Sequence, residues 1–168
     1  MDAMLIMGIL YRDSGAYEEA VSRLKEKFGP FYEGVFYPFT FTSYYEAEMG
    51  KNLMKKFIAF ENGIDASFLA DIKVFTNRLE DSFRADGKRR VNIDPGCLTD
   101  RELVLASVKP KPYKTDIGKG IYAHIVLRFA NDAAETFYHT FPDFKSDKAR
   151  DYFLALLKTK HLRTMKAL

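Results

Sequence analysis

One cysteine in 168 residues, Cys97, excludes an intrachain disulfide, so packing and hydrogen bonds must hold this chain together. That scarcity fits a reducing compartment, and a cytoplasmic location is expected. No uninterrupted apolar stretch approaches the roughly 20 residues of a membrane-spanning helix, so no membrane partner is expected. The first apolar run, Ala3 to Tyr11, has the length of a signal-peptide core, yet Asp2 precedes it and no lysine or arginine does. It reads as a buried strand instead. Internal repeats and low-complexity segments are absent. So is the G-x-x-x-x-G-K-[ST] loop: Gly118-Lys119 is followed by Gly120 and has no glycine at the required upstream position, which removes the phosphate cradle of a conventional GTPase.

What is present suits one globular domain over residues 1–168. With 47% hydrophobic and 15% aromatic residues, the chain is long and apolar enough to complete a core without metal or cross-links. The net charge of +3 is unevenly placed: Lys145 to Leu168 carries +5 and the remainder −2. A terminal helix that basic can meet RNA or an acidic partner, and it can equally face water.

Met4 to Leu10 is continuously apolar, as in a central strand covered on both faces. A helix then opens near Asp13 or Ser14, buries Tyr17, Ala20, Val21, Leu24 and Phe28, and stops at Gly29-Pro30. Phe31 to Tyr37 reads as a strand, Ser43 and Glu46 as the capping box of a short helix, and Lys56 to Phe60 as another strand. Asp65 caps a helix with the stripe Phe68, Ile72, Phe75, Leu79 and Phe83, and Asp86-Gly87 turns into a strand that Pro95-Gly96 ends. The order strand, helix, strand, strand, helix, strand is ferredoxin-like, interrupted by one short helix. Thr99 and Glu102 form a second capping box, predicting a helix through about Ser107. A glycine hairpin at 118–120 and a turn at Asn131-Asp132 then build an antiparallel meander ending with Thr136 to Phe141, before the basic helix. The expected class is α+β, a mixed sheet with helices mainly on one face.

Four segments, Pro38 to Gly50, Lys73 to Asn77, Asp86 to Gly96 and Gly118 to Ala123, together resemble an uncharacterised prokaryotic family, domain of unknown function 4416. Its members are sometimes labelled GTP-binding. The resemblance spans nearly the whole chain and implies no reaction.

Candidate chemistry gathers on the strand after Asp86. Period-two alternation points Val91 and Ile93 one way and Arg90, Asn92 and Asp94 the other, with Lys88 and Arg89 beside them. Guanidinium supplies paired donors for an anion, the amide orients, and Asp94 serves as base or Mg²⁺ ligand; an Arg–carboxylate pair fixing the turn is the plain alternative. Glu46 and Glu48, with Thr42, Tyr44 and Tyr45, bring carboxylates and phenols to one pocket for acid–base or metal-water chemistry, although capping accounts for Glu46 equally well and aromatic packing for the tyrosines. His124 and His139 fall across from each other without a third metal ligand in view. Cys97, expected just ahead of a helix, has no partner histidine and reads as structural. These residues predict a small anionic or phosphorylated, nucleotide-like ligand. Catalysis by Asp94 and Glu46 is its extension, and the rival is an RNA-binding or protein-interaction module using the basic helix or an open sheet face. No cofactor motif is readable.

Overall fold

A computed structural model describes residues 2–166, with side chains described for 3–160. Along the chain run β1 (Asp2–Tyr11), α1 (Ser14–Phe28), β2 (Phe31–Pro38), α2 (Glu46–Met49), β3 (Met54–Asp65), α3 (Leu69–Ser82), β4 (Val91–Leu98), β5 (Glu102–Ser107), β6 (Thr115–Asp116), β7 (Tyr122–Ala130), β8 (Ala133–Thr136) and α4 (Asp147–Lys166). The strands form one sheet in the order β2-β3-β1-β4-β5-β7-β6, with β8 also on β7. The class is α+β, as expected. Every pairing among the described residues is antiparallel, so the sheet is not mixed.

Central β1 splits its side chains between two layers, which is why its sequence is apolar throughout. Leu5, Met7 and Ile9 pack with Ala16, Ala20 and Leu24 of α1 and Ile72 of α3. Ile6 joins Phe57, Phe144, Ala149 and Phe153 on the other face, under α4. Two of the three long helices, α1 and α3, thus share one face, and α4 covers the other. The Asp13 carboxylate caps α1 by accepting from the N–H groups of Gly15 (2.8 Å) and Ala16 (3.3 Å), and Gly29 ends it at φ 90°.

Three local expectations give way to longer-range pairing. Thr99 to Ser107 is not a helix: Thr99 Oγ1 accepts from the N–H groups of Arg101 and Glu102 as a cap would, but Thr99 N–H also donates to Glu102 O at 3.0 Å, closing the β4–β5 hairpin. Pro95-Gly96 lies inside β4 rather than ending it. The last meander strand stops at Thr136, and Thr140 Oγ1 then accepts from Phe137 N–H and donates to Val126 O, fixing a turn where Thr136 to Phe141 was expected to be extended.

What positions the site is a break in the sheet. β5 pairs with β4 only between Gly96–Leu98 and Leu103–Leu105, leaving the earlier half of β4 without a neighbour on that edge. Side chains of α3 take the neighbour's place: Lys73 Nζ donates to Ile93 O (2.8 Å), and Ile93 N–H donates to Glu80 Oε1 (2.6 Å). Pro95, two residues on and facing the same edge, has no N–H to leave unsatisfied. Beyond Leu105 the chain diverges from β4, and a cleft opens between them.

Candidate functional site

The cleft has a volume of about 970 Å³. Its walls come from the β2–α2 loop, α2, one stripe of α3, the β4 edge and the segment from Ser107 to Lys114, while Lys55, His124 and Asp143 line it at the α4 side.

A continuous polar chain runs along the β4 wall. Glu48 of α2 receives a two-pronged grip from Arg89, Nε to Oε1 at 2.9 Å and Nη2 to Oε2 at 2.7 Å. Arg89 Nη1 donates to Asn92 Oδ1 (2.7 Å), Asn92 Nδ2 donates to Asp94 Oδ2 (2.8 Å), and Lys73 Nζ donates to Asp94 Oδ1 (3.2 Å). The Arg89 fork lowers the Glu48 pKa to about 2. Burial alone would raise that of Asp94, but Lys73, Lys55 and the Asn92 amide outweigh it and hold the carboxyl below its ordinary value. Glu80 goes the other way: burial pushes its pKa up to about 7 against the pull of Lys73 and the Ile93 N–H.

Of the residues singled out from sequence, Arg89, Asn92, Asp94, Thr42 and Tyr44 line this cleft. Arg90 does not. It precedes the first residue of β4 and pairs with Asp13 at the start of α1, so the alternation that placed it beside Asn92 does not apply. Lys88 belongs to the exposed turn at Asp86-Gly87, and Glu46 is exposed at the first residue of α2; the carboxylate that enters the network is Glu48.

Sequence reading missed Lys73, Asn77 and Glu80, which α3 presents at i, i+4 and i+7 beside its apolar stripe. That polar row was the signal available. It also missed Lys55, buried on the face shared with Phe57 and paired to Asp143 at 2.6 Å, its Nζ 4.9 Å from the Phe144 ring centre. A lysine on an otherwise apolar strand face was its signal. Lys109, Lys111 and Lys114, in the connection between β5 and β6, also line the cleft. Lys109 Nζ donates to the Tyr44 hydroxyl across the mouth, lowering that phenol's pKa.

His124 and His139 do meet, Nε2 to Nδ1 at 3.0 Å, sharing a hydrogen bond. The His139 ring is stacked between Tyr113 (4.4 Å) and Phe137 (5.0 Å). Burial, then Lys114 and His139, depress the His124 pKa to about 4, so it is neutral at physiological pH. Among the described residues no three His, Cys, Asp or Glu side chains are grouped to hold a metal ion. Cys97 lies within β4, not ahead of a helix, and burial raises its thiol to about 11, which leaves it a poor nucleophile.

A family model described as a domain of unknown function (DUF4416) matches residues 1–160. Neither the curated proteins nor the solved structures contain a match to this chain. Three of the four segments that carry the resemblance, at 38–50, 73–77 and 86–96, contribute side chains to the one cleft.

Proposed function

The chain belongs to the DUF4416 family, whose description names no reaction, and from the cleft we propose that it binds a small anionic, phosphorylated ligand of nucleotide size. The observation that carries this reading is the segment Lys109, Lys111 and Lys114. All three line the cleft, and among the described residues none has a carboxylate within ion-pair distance. The other cations there are already answered: Lys55 by Asp143, Lys73 by Asp94, Arg84 by Asp81, and Arg89 by Glu48. Burial and the two neighbouring lysines lower the Lys114 pKa, a strain that an arriving anion relieves.

The rim supports a ligand with a planar part. Phe41, Tyr44, Val108 and Phe141 are exposed by 38–61% and all border the opening, where apolar surface invites a ring to stack. An ionised, anchored Asp94 supports its use as a base, whereas Glu46 outside the cleft has no such support. The order β2-β3-β1-β4 favours a ferredoxin-like reading of the first half, and a lone buried cysteine suits a cytoplasmic setting. RNA or protein binding through α4 has less behind it, because Ala149, Phe153, Leu156 and Leu157 are spent covering the sheet.

Thermal denaturation in the presence of nucleotides and sugar phosphates tests the reading, since a ligand that binds only the native state raises the midpoint by mass action. At least one phosphorylated compound should stabilise the parent protein and fail to stabilise K109A/K111A/K114A, with an effect that shrinks as salt rises. Stabilisation undiminished in the triple variant would place the anion elsewhere.

A further inference from the structure

On the β4 wall of the cleft, the acceptor positions left open belong to Asp94. Asp94 Oδ1 takes one donor, Lys73 Nζ, and Oδ2 takes one, the Asn92 amide. Asn92 cannot turn its amide over, because Arg89 already occupies its Oδ1, and Arg89 is itself clamped by Glu48. Each carboxylate oxygen thus keeps a further acceptor position, and the Asp94 side chain remains 28% accessible. An ionised carboxylate accepts and never donates, so this wall recognises hydroxyl or amine groups and repels a bare anion.

A second polar group points to an occupant as well. His124 is fully buried and lines the same cleft, yet its Nδ1 meets no hydrogen-bond partner. A buried polar atom left unmet is destabilising, a penalty that a polar ligand reaching it removes.

Resting on the anion-binding reading above, we propose that the cleft is bipolar and selects a phosphate monoester of a polyhydroxylated compound, the class that holds sugar phosphates and nucleotides. The phosphate lies toward Lys109, Lys111 and Lys114, and hydroxyls of the carbon skeleton donate to Asp94. The rigid chain from Glu48 to Lys73 holds that carboxylate ionised and in place before the ligand arrives. Inorganic phosphate satisfies only the lysine half.

Isothermal titration of the parent protein with inorganic phosphate, n-pentyl phosphate and ribose 5-phosphate tests this without any mutation. Ribose 5-phosphate should bind at least about tenfold more tightly than either of the others, the scale of one or two hydrogen bonds to a charged acceptor. Asp94→Asn should reduce that preference to within a few-fold by weakening ribose 5-phosphate selectively, and K109A/K111A/K114A should weaken all three. Equal binding of the two esters and inorganic phosphate by the parent overturns bipolar selection and leaves the anion reading standing. So does a preference for ribose 5-phosphate that a folded Asp94→Asn keeps. No binding of any of them, with ribose 5-phosphate included, overturns both.

Discussion

Glu80 shows how much a single side chain can reveal that its neighbours in sequence do not. On paper it is one more helix-surface glutamate; in place it is buried, accepts the Ile93 N–H, and has its pKa raised to about 7. The unfolded chain releases that proton near pH 4.3, so between roughly 4.3 and 7 the folded state holds a proton the unfolded state lacks, and stability must fall as pH rises through that window. Glu80→Gln keeps an acceptor for Ile93 and removes the charge, so it should be more stable than the parent at pH 8, by up to about 3 kcal/mol, with no gain at pH 4. His124 contributes the opposite slope: its folded pKa near 4 lies below the ordinary 6.5, so its share of stability is lost as pH falls through that interval. Because the two slopes run against each other over nearly the same interval, urea midpoints between about pH 4 and 7 should change little in the parent and rise in Glu80→Gln; parallel curves would place the titration on another group. Arg89 and Arg90 teach the complementary lesson. Alternation is a property of paired strand residues, and one position short of β4 it put Arg90 on the face of Asn92, whereas Arg89, expected beside them, is the arginine that enters the site.

Elements were legible where their cause is local. Asp13 at the start of α1, Gly29 at its end and Asp65 ahead of α3 all do what their spacing predicts, because capping is settled within one turn. Thr99 is the instructive exception: the same two N–H groups reach its hydroxyl in a hairpin as in a helix cap, and only the pairing of β5 with β4 on one side and β7 on the other decides between them. Gly96 belongs to that pairing. A Cβ there would stand 2.7 Å from Leu105 Cδ2 and 2.8 Å from Val104 O, so Gly96→Ala should cost about 1–3 kcal/mol through crowding of the β4–β5 junction. Equilibrium unfolding in urea checks it, and a neutral result would mean that β5 shifts freely. Lys73 is the other fastening of this edge, bonding both Ile93 O and Asp94 from α3. Lys73→Met keeps much of the volume but strands a carboxylate and a carbonyl, so a loss of about 3–5 kcal/mol is expected, the cost of breaking a buried pair from one side. The same melts should show Lys73→Met losing more than Arg90→Ala, whose partner Asp13 sits in water.

Across the molecule, the halves of the chain differ in how much a local window records. The first four strands come in a pattern of apolar runs and helical stripes, whereas β5, β6 and β8 are only two to six residues long and their extents are set by pairing within the sheet. The site inherits that difference: its β4 wall could be read from alternation, but the cleft itself exists because β5 leaves β4 early, and Lys55 and Lys109 reach it only through the tertiary fold. α4 ties the two halves together. Phe153 is fully buried and meets Phe57 at 5.2 Å and Phe144 at 5.9 Å, and Phe144 in turn borders Lys55 at the cleft. Phe153→Ala should cost about 3–5 kcal/mol, and Phe153→Leu, which keeps most of the volume, distinctly less. Because Phe153 itself does not line the cleft, any loss of ligand affinity in Phe153→Ala must travel through Phe144 and Asp143, the residues just ahead of α4. If α4 is part of one cooperative unit, far-ultraviolet circular dichroism and tyrosine fluorescence will give coincident melts in parent and variant alike. Separate transitions in Phe153→Ala would show the helix leaving first, with the cleft surviving its departure.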